Sequence, residues 1–236
     1  SIMAAKTTKS RKPTFLTLLY LRAYNIVQVL GWSYILCKLV RHDFSSTVEG
    51  QLWQTEKLLL MVFQNAAVLE VVHAATGLVP SNPVITAFQV ASRVFIVCGV
   101  LQATPDSYAA SSSGLPLCLL AWSITEIIRY SYYFMNLIGF VPHILVWLRY
   151  TLFIALYPIG ITGELLCIYA AAIYAKSHPE AYSYTMPNSW NFTFSYYYLL
   201  IIVMLMYIPF FPHLYLHMFS QRSKVLGKSD SQKKSQ

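Results

Sequence analysis

The sequence predicts an all-α protein, polytopic in a membrane, with six transmembrane helices in one bundle. Three observations predict it. Of the 236 residues, 56% are hydrophobic and only 11% are charged, which is more apolar side chain than a single water-soluble core can take in. The apolar residues fall in blocks near the length of about 20 residues that a helix needs to cross roughly 30 Å of hydrocarbon. The net charge of +8 gathers at the two ends, as Lys6, Lys9, Arg11 and Lys12, then Arg222, Lys224, Lys228, Lys233 and Lys234. Basic flanks beside apolar spans are orientation signals, and this distribution sets aside a nucleic-acid partner.

The spans are expected at 17–40, 57–79, 85–103, 115–138, 145–174 and 195–219. The first begins after a dozen polar, basic residues, is too long for a signal-peptide core and lacks a cleavage site, so it reads as a retained span. A polar loop over 42–56 separates it from the second, and Val79-Pro80-Ser81-Asn82-Pro83 turns tightly into the third. A Ser- and Ala-rich stretch around Pro105 and Asp106 precedes the fourth, and Gly139 to Pro142 makes a short link to the fifth. Pro179, Pro187 and many hydroxyls mark 176–191 as the loop before the sixth. The organisation is thus a cytosolic basic tail at 1–16, a membrane domain at 17–219 and a cytosolic tail at 220–236.

An even number of spans puts both ends on one side. Nine of the 17 Lys and Arg residues lie in those ends, against about three in the loops opposite, so the positive-inside rule places both ends in the cytosol. The closing Lys233-Lys234-Ser235-Gln236 has the form of a dilysine signal for retrieval to the endoplasmic reticulum. Trp53, Trp147, Trp190 and the run Tyr196-Tyr197-Tyr198 sit near span ends, as an interfacial aromatic belt does. Asn191-Phe192-Thr193 is a formal glycosylation sequon, expected to stay unused because it lies almost against the sixth span. Cys37, Cys98, Cys118 and Cys167 lie in apolar stretches without paired spacing, so neither a disulfide framework nor a metal site is signalled.

Ionisable groups at membrane depth cost several kcal/mol unless paired or hydrated, which makes each a functional candidate. Glu70 and His73 are one turn apart in the second span, and Arg93 lies in the third. Glu126, Arg129, Tyr130 and Tyr133 share one face of the fourth. The Glu126 and Arg129 pair serves either packing or a site, and Glu70 is either neutral and hydrogen-bonded or paired with Arg93. In the fifth span Tyr157 and Glu164 are seven residues apart, so they share a face and lie about 10 Å apart along the axis. Pro158 removes a backbone donor, while Gly160 and Gly163 let a neighbouring helix or a ligand come close. The fifth span runs inward from the cytosol, so Arg149 lies near its cytosolic mouth, about 12 Å from Tyr157 by helix rise, where it serves as a phosphate clamp or as a plain orientation charge.

These residues stand in blocks that resemble one known family. YLRAYNIVQVLGWSYIL at 20–36, LEVVHAATGLVPSNPVITAFQVASR at 69–93, AWSITEIIRYSYY at 121–133 and LRYTLFIALYPIGITGELL at 148–166 look like the very-long-chain (3R)-3-hydroxyacyl-CoA dehydratases, also called protein tyrosine phosphatase-like A proteins. The resemblance implies six spans in the endoplasmic reticulum membrane and a catalytic pair falling on Tyr157 and Glu164. It implies further kept charges at Glu70, Arg93, Glu126, Arg129 and Arg149. The implied reaction is the third step of fatty acid elongation, (3R)-3-hydroxyacyl-CoA to trans-2-enoyl-CoA, with no cofactor beyond the CoA of the substrate. Implied partners are the elongase condensing enzyme, the 3-ketoacyl-CoA reductase and the trans-2-enoyl-CoA reductase. Elimination needs one group to take the C2 proton and another to protonate the leaving hydroxyl, and a Tyr and a Glu can divide those roles either way. Phosphatase chemistry is not expected, because no cysteine has an arginine six positions on; from Cys98 that position is Thr104. A membrane scaffold for elongation components and a small transporter remain the alternatives, the latter without any internal inverted repeat to support it.

Overall fold

The computed structural model describes residues 14–45, 50–79 and 81–233, with side chains described as far as residue 226. Helix α1 runs Phe15–Val40, capped by the Thr14 hydroxyl, which accepts from the Thr17 amide. The second expected span is two helices, α2 (Gln51–Ala66) and α3 (Val68–Ala75), broken at Ala67. The carbonyl of Ala66 at that break accepts from the Tyr24 hydroxyl at 3.2 Å. Next, α4 (Pro83–Val94) begins with Asn82 capping the amides of Val84 and Ile85 and continues as a π-helical segment over Phe95–Leu101. A 3₁₀ turn at Ala109–Ser111 leads into α5 (Gly114–Ile138). The fifth expected span is also two helices, α6 (His143–Thr151) and α7 (Phe153–Ser177), and α8 covers Tyr196–Lys233.

Five stretches, Phe15–Val40, Gln51–Ala75, Pro83–Leu101, Phe153–Ser177 and Tyr196–Leu226, are long and apolar enough to cross a membrane. The fourth expected span, α5, is 25 residues long, about 37 Å by helix rise, but its charges and tyrosines lower its hydropathy. It is nonetheless the middle of the bundle, packing most extensively on α1 and on α7. No strand occurs among the described residues, whose one β-bridge joins Tyr184 to Phe194 in the loop before α8. The multi-pass, all-helical class is therefore as expected.

Two expected boundaries differ. The loop over 42–56 ends early, because Gln51 already starts α2 and turns Trp53 and Glu56 inward, Glu56 fully buried and 3.7 Å from Lys38. The last helix does not stop at 219, since no proline follows Pro212 and the polar residues after Phe219 include good helix formers. The dilysine ending, Glu49 and the N-terminal basic residues lie outside the described side chains.

Packing on neighbouring helices accommodates the proline and the glycine inside α7. Pro158 has no amide hydrogen, so the carbonyl of Ile154 one turn earlier loses its helical partner. The Tyr215 hydroxyl of α8 donates to that carbonyl at 2.9 Å. Between α5 and α7, a methyl on Gly163 would lie 2.8 Å from the Cys118 amide nitrogen and the Gly114 carbonyl, so glycine there lets two backbones touch. The outer surface is apolar, with Leu30, Leu58, Val62, Phe88, Ile202, Leu205 and Ile208 all exposed, while Gln28, Gln64, Ser123 and Glu126 are buried. That inversion of a soluble protein is what a lipid solvent requires.

Candidate active site in the seam of α7 and α8

Tyr157 and Glu164 both leave α7 towards one face of α8. The Tyr157 ring stacks on Phe211 and Tyr215, with centroids 5.4 Å and 5.8 Å away. Glu164 accepts at Oε2 from the Tyr207 hydroxyl at 2.7 Å. Tyr207, Phe211 and Tyr215 are spaced four apart and form a single stripe of α8, so the seven-residue spacing of the pair matches two turns of its neighbour. The other carboxylate oxygen, Oε1, accepts from the indole N–H of Trp122 on α5 at 2.9 Å. Gly160, between the two, faces Ala121 of α5, where a methyl would lie 3.3 Å from the alanine Cβ. Its smallness therefore lets α5 approach and brings Trp122 within reach of Glu164.

One turn beyond Trp122 on α5 lies a four-charge network. The guanidinium of Arg129 grips both oxygens of Glu70 on α3, at 2.8 Å and 2.9 Å, and its Nε donates to Glu126 at 2.8 Å. Arg93 of α4 donates to the other oxygen of Glu126, and the Tyr130 hydroxyl donates to Glu70. Two arginines and two glutamates alternate, so the cluster is neutral as a unit, which is how charges persist at membrane depth. Glu70 thus pairs with Arg129 rather than with Arg93. His73 shares a bond with the Tyr20 hydroxyl at 2.8 Å, and no bond joins it to Glu70 among the described contacts.

Arg149 belongs to α6, and the break at Leu152 separates it from the helix of Tyr157, so a distance reckoned along one unbroken helix does not apply. Its guanidinium lies over the rings of Tyr132, Tyr133 and Tyr150, at 4.3 Å, 4.9 Å and 5.8 Å. One of its nitrogens, Nη1, is buried without a partner. Tyr133 is also within 5.9 Å of Arg129, so aromatic faces bridge the network to α6.

Tyr207 and Trp122 escape a reading by sequence. Trp122 carries a weak signal, four residues before Glu126 and hence on the same face. Tyr207 carries only its being a lone hydroxyl within an otherwise apolar stretch.

A bundle of apolar-faced helices that holds a carboxylate and a phenol in one helix seam, beside a neutralised charge cluster, defines a polytopic membrane protein with ionisable side chains gathered between its helices. The chain belongs to the family described as protein tyrosine phosphatase-like protein, PTPLA, whose profile matches residues 64–228. A mouse (Mus musculus) protein named very-long-chain (3R)-3-hydroxyacyl-CoA dehydratase 2 is 44% identical over 226 residues, covering 96% of this chain and 88% of the relative. A Caenorhabditis elegans protein, very-long-chain (3R)-3-hydroxyacyl-CoA dehydratase hpo-8, is 45% identical over 215 residues, 91% of this chain and 97% of its own. The rice (Oryza sativa subsp. japonica) dehydratase PASTICCINO 2A is 40% identical over 212 residues, 89% of this chain and 94% of its own. No solved structure matches.

Proposed function

We propose that this chain is a hydro-lyase that converts long- and very-long-chain (3R)-3-hydroxyacyl-CoA to the trans-2-enoyl-CoA, with Tyr157 and Glu164 as the reacting pair. The names of its relatives support the reaction class. The observation that carries the pair is their shared seam, in which Tyr157 and Glu164 meet α8 residues of one stripe.

In the elimination, Glu164 takes the C2 proton and the C–H electrons form the C2–C3 double bond. The C3–O bond breaks, and the departing hydroxyl takes a proton from Tyr157 to leave as water. Transfer of the proton from Glu164 back to Tyr157 restores both groups. Glu164 is assigned as base because both of its hydrogen bonds use it as an acceptor; the indole nitrogen of Trp122 can only donate. Arg149, set on a platform of tyrosines with a free donor, suits the CoA phosphates. Glu70, Arg93, Glu126, Arg129 and Tyr130 hold α3, α4 and α5 in register around the site. Gly160 keeps α5 close to α7.

The resemblance of the chain extends the reading to the third step of fatty acid elongation in the endoplasmic reticulum membrane, both ends cytosolic. The partners are then the condensing enzyme and the two reductases that precede and follow it.

The test is turnover of a long-chain (3R)-3-hydroxyacyl-CoA by detergent-purified protein, with Tyr157→Phe and Glu164→Gln at matched folding. Wild type should form the enoyl product, and each variant should lose at least about 100-fold in kcat. Inert wild type across several chain lengths would remove the enzyme reading in favour of a scaffold.

A further inference from the structure

Both carboxylate oxygens of Glu164 are held, and the two donors come from two different helices, Trp122 on α5 and Tyr207 on α8. A carboxylate rotates freely about its last bond, and a base that rotates presents the wrong lone pair for most of the time. Two donors on opposite oxygens stop that rotation. Trp122 is itself fixed, being almost wholly buried in the core between α5 and its neighbours. It also lies one turn from Glu126, which Arg93 and Arg129 hold from both sides. The α8 donor is anchored differently: Tyr207 stands one turn before Phe211 and two before Tyr215, the residues that stack on Tyr157. The same stripe of α8 therefore sets the carboxylate of Glu164 and the ring of Tyr157.

We propose that Trp122 and Tyr207 are positioning residues that clamp the Glu164 carboxylate, one oxygen each, and so aim it at the C2 proton of the acyl thioester. The inference rests on the dehydratase reading. It assigns neither residue contact with substrate. Their effect passes through Glu164 alone, so it falls on the chemical step and leaves substrate binding intact.

The experiment measures kcat and KM for a long-chain (3R)-3-hydroxyacyl-CoA with wild type, Tyr207→Phe, Trp122→Phe and, as control, Tyr196→Phe. Tyr196 lies on the same helix, about three turns before Tyr207, and its hydroxyl donates to the Gly99 carbonyl rather than to Glu164, so its loss reports the general cost of removing a hydroxyl from α8. Tyr207→Phe and Trp122→Phe should each lower kcat by about 10- to 100-fold, as a displaced catalytic group does, with KM within about twofold. Tyr196→Phe should keep the wild-type kcat. In a Glu164→Asp background, where the carboxylate is one methylene short of both donors, adding Tyr207→Phe should cost less than about threefold further.

If wild type turns over and Glu164→Gln is inactive, but Tyr207→Phe and Trp122→Phe both keep kcat within twofold, the clamp is wrong while the dehydratase stands. Equal losses in Tyr207→Phe and Tyr196→Phe, or a loss by Tyr207→Phe that is undiminished in the Glu164→Asp background, would overturn it too, since both describe a structural effect. Wild type without turnover fells the dehydratase reading first. Should Tyr207→Phe fail to fold, Trp122→Phe decides alone by the same split of kcat against KM.

Discussion

Glu126 is 1% exposed and stands between two guanidiniums, Arg93 and Arg129, with Glu70 completing the set. Its removal leaves two arginines with one carboxylate at membrane depth. Breaking a buried pair by deleting one partner costs roughly 3–5 kcal/mol, because the charge left behind has no solvent to turn to. Glu126→Gln is therefore expected to lower thermal stability in detergent by that order. Glu126→Gln combined with Arg93→Gln should recover part of the loss, because the cluster is neutral again; scanning fluorimetry of the three proteins checks it. The pairing itself was not legible in the residues. Sequence places Glu70, Arg93, Glu126 and Arg129 in three spans, and Glu70 could equally have met Arg93 on the adjoining span. Which arginine it meets depends on how far each helix is rotated about its axis.

Among the elements, α7 has the clearest sequence logic and the least obvious support. Pro158 opens the hydrogen bond of the Ile154 carbonyl, and a carbonyl without a partner in a lipid-filled environment costs about 1–3 kcal/mol. Tyr215 closes it from α8. Tyr215→Phe should lower the melting temperature by an amount matching that range. Tyr215→Phe with Pro158→Ala should lose less than Tyr215→Phe alone, because alanine restores the helical donor. Thermal unfolding of both in detergent measures the difference. That Pro158 distorts the helix follows from proline chemistry at any position. That a tyrosine 57 residues later repairs it does not, since nothing local in the sequence of α8 points to α7. The breaks at Ala67 and Leu152 are equally hidden, because no proline or glycine marks a boundary at either position.

For the whole molecule, the basic ends predict an even number of crossings with both termini on one face, which needs α5 to span beside the five more apolar stretches. Cysteines introduced singly at Ser10 and at Ser223, in a chain with its native cysteines replaced, should react with a membrane-impermeant maleimide from the same side of sealed microsomes. A cysteine at Ser183 should react only from the other side. Opposite behaviour of the two ends would mean an odd number of crossings and would turn α5 into a helix that does not span. The sequence by itself determined the class of solvent, the all-helical multi-pass class, and that Tyr157 and Glu164 share one helix face, because apolar run length and helical periodicity are properties of single segments. Only the tertiary structure decided that α5 is the centre of the bundle, that Glu70 answers Arg129, and that Trp122 and Tyr207 hold Glu164. Each of those depends on the rotation and depth of one helix against another, and in a membrane that is set by side-chain packing and polar satisfaction between segments far apart in the chain.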